Sequence, residues 1–154
     1  MDDSTTVTHL IPHLKKYEHL IIITNGFSNC EELKKNNIPY YCTGGKITDG
    51  VCYSGVLALN FINNFNADIC FFSTTSIFKN GAIADVGENE AYLKQAMIKR
   101  SKESIYLCDK SKLEKSASFN VTNIESVSRI ITTIDKNELG IKSDKITYIE
   151  AIDE

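Results

Sequence analysis

Residues 105–112 read I-Y-L-C-D-K-S-K: an apolar run stops at Asp109, and a serine follows between Lys110 and Lys112. A run with no in–out alternation is the signature of a strand covered on both faces. The same kind of run recurs in H-L-I-I-I-T-N (19–25), I-P-Y-Y-C-T (38–43), A-D-I-C-F-F-S (67–73), S-R-I-I-T-T (128–133) and K-I-T-Y-I-E (145–150). Between these runs the period changes to that of a helix. Residues 54–65 carry apolar side chains at 57, 58, 61, 62 and 65, and residues 88–101 turn Leu93, Ala96 and Met97 to one side. A polar helix is expected over 27–36, ended by Asn36-Asn37, and a short one over 5–16, capped by Ser4 or Thr5 and kinked by Pro12. Residues 73–87 read as a loop rich in Ser, Thr and Gly. Strands alternating with helices predict an α/β fold: three layers, αβα, with a Rossmann-like, mostly parallel sheet covered by helices on both faces.

Ligands of such sheets bind beyond the carboxyl ends of the strands. Here those ends are Thr24-Asn25, Thr43-Gly44-Gly45, Ser73-Thr74-Thr75 and Asp109-Lys110-Ser111-Lys112. Hydroxyls, an amide, glycines and lysines gather there, which suits a phosphorylated or polyhydroxylated ligand. D-D-S-T-T at 2–6 opens a helix and offers backbone N–H groups and hydroxyls to a phosphate, although capping alone also explains it. T-G-G-K at 43–46 lets the backbone approach a ligand and adds Lys46, but it lacks the P-loop spacing and is equally a turn. Asp68, Glu90 and Asp109 are acids at sheet ends or helix starts, able to meet sugar hydroxyls or to serve as ordinary caps. Lys112 could neutralise an anion or simply be solvated.

The totals bound the function classes. At 154 residues the chain is expected to be one domain, 1–154, and its net charge of −3 argues against gripping nucleic acid by itself. Five cysteines with no C-x-x-C, and three histidines confined to positions 9, 13 and 19, predict no metal site and no cofactor. Cys70 and Cys108 read as core residues in a reducing cytoplasm. No apolar run is long enough for a membrane span.

In order along the chain, D-D-S-T-T-V-T-H-L (2–10), I-I-I-T-N (21–25), C-T-G-G-K (42–46), S-G-V-L-A-L (54–59), N-A-D-I-C-F-F (66–72), E-N-E-A-Y-L-K-Q-A-M-I-K-R-S (88–101), Y-L-C-D-K-S-K-L (106–113) and I-I-T-T (130–133) resemble the C-terminal sensor domain of DeoR-family bacterial transcriptional regulators. That domain is similar in fold to ribose and glucosamine phosphate isomerases and acyl-CoA transferases. The resemblance implies a non-catalytic receptor for a phosphorylated sugar or related metabolite, acting as a homo-oligomer that reaches DNA only through a separate N-terminal domain. Carried over by position, it implies Ser4, Thr5 and Thr6 for phosphate, Asn25, Gly44, Gly45 and Lys46 at the mouth, and Asp68, Glu90, Asp109 and Lys112 facing the sugar or holding the pocket. Ser4, Ser73 and Ser76 stand where the family often has glycine, which narrows the crevice or adds hydroxyls to it. The family's winged helix-turn-helix and the strand that precedes D-D-S-T-T are not in this sequence. A domain truncated at its N-terminus is expected, its sheet lacking one strand and exposing the neighbouring edge unless another chain covers it. Two rivals compete with the sensor: a small sugar-phosphate isomerase, and a non-sensing oligomerisation module.

Overall fold

The computed structural model describes residues 1–48 and 51–150. In chain order the elements are α1 (Thr5–Thr8), α2 (Ile11–Leu14), β1 (Ile22–Thr24), α3 (Phe27–Lys35), β2 (Tyr40–Cys42), β3 (Lys46–Thr48), β4 (Cys52–Ser54), α4 (Gly55–Asn63), β5 (Ala67–Phe72), β6 (Ser76–Ile77), β7 (Ala82–Asp85), α5 (Glu88–Lys99), β8 (Ser101–Cys108), β9 (Phe119–Asn123), β10 (Arg129–Thr132), α6 (Lys136–Leu139) and β11 (Ile146–Tyr148). Strands β11, β10, β8 and β5 form a parallel sheet in that order, and β1 pairs in parallel with β2.

Side-chain parity divides the core into two layers. On β8, Ile105 and Leu107 pack with Val7, Ile11 and Leu33 of α1, α2 and α3. Tyr106 and Cys108 turn the other way, to Ala91, Leu93 and Met97 of α5 and to Ala58 and Ile62 of α4. The alternation repeats on β5, where Phe71 joins the first layer and Cys70 and Phe72 the second, and on β10 with Ile131 and Ile130. Because both faces are covered, each strand is apolar at consecutive positions, as the sequence pattern requires. Tyr106 and Phe72 are fully buried with ring centroids 5.1 Å apart. Burial of each such ring contributes about 2–3 kcal/mol. The Tyr106 hydroxyl shares a 2.8 Å hydrogen bond with Thr74 Oγ1, so its polar end is satisfied inside the core.

Three details differ from the expectation. The helix expected over 5–16 is two single turns, α1 and α2, with Pro12 in the first turn of the second, where its missing N–H costs nothing. The expected loop at 73–87 contains a hairpin, β6–β7, extended by β9 into a small antiparallel sheet. On α4 the inward positions are Ala58 and Ile62, whereas Leu57 is 68% exposed. Phe61 and Phe65 stack on each other at 4.9 Å and on Tyr41 of β2 instead.

Candidate functional site

The carboxyl ends of β1, β5 and β8 meet the N-terminal segment and the amino end of α5. Asp2 is fully buried there. Its Oδ2 accepts from Ser73 N–H at 3.0 Å and lies 3.4 Å from Lys94 Nζ, while its Oδ1 accepts from Ser4 Oγ at 2.8 Å. Lys94 is buried on α5 and donates to Asp85 Oδ2 at 2.6 Å, and Asp85 Oδ1 in turn accepts from Thr75 N and Oγ1 at 2.8 and 2.7 Å. One ammonium therefore ties the N-terminus, the β5–β6 loop, the end of β7 and α5 together. Burial pulls the Lys94 pKa down, but Asp2 and Asp85 outweigh it and hold the lysine charged. Burial pushes the Asp2 carboxyl up against the opposing pull of Lys94. A buried charge of this kind persists only because its partners are close and hydrogen-bonded.

Beside this cluster lies Asn25, 1% exposed at the end of β1. Its Nδ2 donates to Asp3 Oδ1 at 3.1 Å and to the Tyr53 carbonyl at 3.3 Å. Its Oδ1 has no hydrogen-bond partner among the described residues, and neither has the buried Ser73 Oγ at the end of β5. Asp3 and Glu90 both bear on the buried Cys52 thiol, which burial, first, and these two carboxylates push up to about 12. Glu90 is the third residue of α5 and folds back over Gly87, so that a Cβ on Gly87 would lie 1.4 Å from its Oε2. The β3–β4 hairpin is stitched across this end of β1: Tyr53 N donates to the Asn25 carbonyl at 2.8 Å and Phe27 N to the Val51 carbonyl at 2.9 Å.

The anticipated site residues fall into groups. Ser4, Asn25 and Glu90 converge on the Asp2–Asp3 segment and Cys52. Ser4 Oγ is already engaged, accepting from Val7 N at 3.3 Å as the cap of α1, with Thr5 and Thr6 following it in the first turn. Gly44 and Gly45 lead from β2 into Lys46 with φ of +63° and +115°. At Gly45 an added Cβ would lie 2.8 Å from the Ser54 carbonyl oxygen, so that glycine is required both by conformation and by space. Lys46 is exposed at the start of β3. Asp109 and Lys112 occupy the end of β8, next to the end of β5 in the sheet. Asp109 accepts from Ser111 N at 2.7 Å, capping a 3-10 turn over 110–112, and Lys112 is half-buried in that turn.

Asp68 does not join them. It sits near the amino end of β5, at the opposite end of the strands, with its side chain 85% exposed and paired with Lys102 at 2.7 Å. The apolar run follows Asp68 instead of preceding it, which puts the acid where the strand starts. Lys94, Asp85, Asp2 and Asp3 were not anticipated. The signal for Lys94 was its place four residues after Glu90 and three before Met97, on the inward stripe of α5, where an ammonium needs a buried carboxylate. Among the described residues no group of three or more His, Cys, Asp or Glu could hold a metal ion, and no helix is long and apolar enough to cross a membrane.

A mostly parallel, doubly covered sheet with polar strand ends defines a Rossmann-like α/β module. Residues 1–133 match the model of the DeoR C terminal sensor domain, and the chain belongs to that family. The HTH-type transcriptional regulator GolR of Listeria innocua is 31% identical over 134 residues, covering 86% of this chain and 53% of GolR. The L-fucose operon activator of Escherichia coli is 28% identical over 134 residues, covering 86% of this chain and 55% of the activator. The chain thus spans about half the length of the curated relatives it matches. Among solved structures, the tetrameric eIF2B-β2-δ2 complex from C. thermophilum superposes with a TM-score of 0.55 at 15% identity, over 89% of this chain and 50% of that one. That likeness is one of fold.

Proposed function

We propose that this domain is the effector receptor of a DeoR-type transcriptional regulator, binding a phosphorylated sugar or related metabolite at the carboxyl ends of β1, β5 and β8. The observation that carries this is the pair of buried, unpartnered acceptors at two of those ends, Asn25 Oδ1 and Ser73 Oγ. A buried polar atom without a partner costs about 1–3 kcal/mol, and a ligand hydroxyl reaching it recovers that cost. The buried Lys94 is held by Asp2 and Asp85, which makes it a structural cation and leaves the phosphate to others. Lys112, Lys46 and the backbone N–H groups of Thr5 and Thr6 form the phosphate end, and Asn25, Asp3, Glu90 and Asp109 the hydroxyl end. The role is binding without turnover, a reading supported by the membership of the chain in a family of regulator sensor domains. Binding alters operator affinity only through differential affinity for two arrangements of a complete, cytoplasmic and oligomeric regulator whose DNA contacts lie outside this domain. Val56 and Leu57, 71% and 68% exposed on α4, suit a surface that a second copy covers.

Lys112→Ala is expected to weaken binding of pentose and hexose phosphates at least tenfold, with a melting temperature within about 2 °C of the parent, because the lysine is half-buried and forms no ion pair among the described residues. Isothermal titration of both proteins checks this. Unchanged affinity removes the lysine from the site. Turnover of the bound sugar phosphate in an isomerase assay replaces the receptor by an enzyme.

A further inference from the structure

Side-chain parity brings two half-buried thiols together beside the T-G-G-K loop. On β1, Ile22 packs in the layer of Leu33 on α3, and Ile23 in the opposite layer. Thr24 therefore faces α3, and its Oγ1 accepts from Asn29 Nδ2 of that helix at 2.9 Å. Cys42 is the ladder partner of Thr24 on β2, so its side chain faces α3 as well. Tyr41, one residue earlier, turns the other way, to Phe61 and Phe65. On α3, Cys30 follows the buried Asn29 and stands one turn before the buried Leu33, on the flank of the same inward stripe. The Cys30 and Cys42 thiols are in hydrogen-bonding contact. Both are half-buried and free, whereas Cys52, Cys70 and Cys108 are only 2%, 2% and 4% exposed. Among the five cysteines, this pair alone combines contact with access from solvent.

We propose that Cys30 and Cys42 are a reversible redox pair, which a low-molecular-weight disulfide such as oxidised glutathione converts into an intramolecular disulfide between α3 and the end of β2. In the first step the Cys42 thiolate attacks one sulfur of the reagent. The reagent's S–S bond breaks, and one glutathione leaves as thiolate and takes up a proton. In the second step Cys30 gives its proton to solvent and attacks the Cys42 sulfur of the mixed disulfide, and the second glutathione leaves. Two protein thiols are oxidised to one disulfide, and one reagent disulfide is reduced to two thiols. Burial first, and Cys42 next, push the Cys30 thiol up to about 12. Little of it is thiolate near neutral pH, so it suits the second step, where contact replaces concentration. The bond closes a loop of about a dozen residues, which restricts the unfolded chain. It also fixes the start of the loop Thr43-Gly44-Gly45-Lys46, already held by the 3.0 Å bond from Thr43 N to the Thr24 carbonyl. Oxidation therefore stiffens the mouth of the crevice. Only the meaning of that stiffening for an effector rests on the receptor reading; the disulfide itself does not.

The test incubates the folded 154-residue chain with oxidised glutathione, blocks the remaining thiols by alkylation and maps the digest by mass spectrometry. The expected product has lost two hydrogens and yields one cross-linked peptide pair carrying Cys30 and Cys42. Its melting temperature should rise by several degrees, and amide exchange at residues 43–46 should slow at least threefold. Dithiothreitol should reverse all three changes. Cys30→Ser should stop at a glutathione adduct on Cys42 with no rise in melting temperature. Cys42→Ser should give neither the cross-link nor the rise. Both thiols remaining free, pairing of either with another cysteine, or adducts that never resolve in the parent chain overturns the proposal. A cross-link that forms only in denaturant also overturns it. The bond without slower exchange at residues 43–46 overturns its link to the crevice mouth. None of these readouts uses a sugar phosphate, so their failure is distinct from failure of the receptor reading.

Discussion

Lys94→Ala is expected to destabilise the domain by about 3–5 kcal/mol, because it leaves Asp2 and Asp85 buried with no cation. The loss is not one of packing volume. Lys94→Met, which restores most of the volume, should be nearly as damaging, whereas Lys94→Met combined with Asp85→Asn should recover a substantial part, since one uncompensated charge is gone. The partners also connect four segments, so the single mutants should expose the β5–β6 loop and the N-terminus to exchange first. Urea unfolding of the three variants checks the order. A Lys94→Met protein as stable as the parent would show that the ammonium is dispensable and that the cluster does not hold the site together.

The second large effect is alkaline unfolding. Burial is the first cause that raises both the Cys70 and the Cys108 thiol, from 9.0 to about 11. Below pH 9 folded and unfolded chains both keep these protons, and the full stability is present. Between pH 9 and 11 the unfolded chain binds fewer protons than the native one, so stability falls as pH rises, by about 1.4 kcal/mol per unit for each thiol. The two together account for about 5 kcal/mol by pH 11. Burial also raises Tyr106 well above 10.0, which continues the trend at higher pH. Denaturant titrations under reducing conditions should show this slope, and the Cys70→Ala/Cys108→Ala double variant should show a shallower one, the remainder coming in part from Cys52, whose thiol burial also raises. An identical slope in the double variant would place the effect elsewhere.

Much of the fold was legible in the sequence because its strands are buried on both sides. Continuous apolar runs such as those ending at Thr24, Phe72 and Cys108 mark strands whose alternate residues feed two separate layers, and this makes a parallel, doubly covered sheet readable without long-range information. Short elements were not legible. The strands β6 and β7 have two and four residues within a Ser-, Thr- and Gly-rich stretch, and the pairing of β7 with β9 joins segments well apart in the chain. The three-residue strands β3 and β4 gain stability by docking on the end of β1, which no local pattern announces.

Asn25, Gly45, Asp109 and Lys112 could be placed near strand ends from the sequence, because the carboxyl end of a strand can be read from where an apolar run stops. Asp68 was misplaced because an acid at a strand start resembles one at a strand end when only proximity is weighed. Lys94 was hidden because a lysine on a helix is ordinarily solvated. Only the carboxylates of Asp2, from the other end of the chain, and of Asp85, at the end of the preceding strand, make its burial tolerable.

The central claim is that the strand ends of β1, β5 and β8 receive a phosphorylated sugar. The most direct measurement is a thermal-shift series on this chain with pentose and hexose phosphates, each beside its unphosphorylated sugar at the same concentration. A ligand at a hundredfold excess over its Kd stabilises by about 2.7 kcal/mol, a shift of several degrees for a domain of this size. The account predicts such a rise for at least one phosphorylated compound and none for its parent sugar. Equal shifts for both members of every pair, or no shift from any compound with the folded protein, would contradict it.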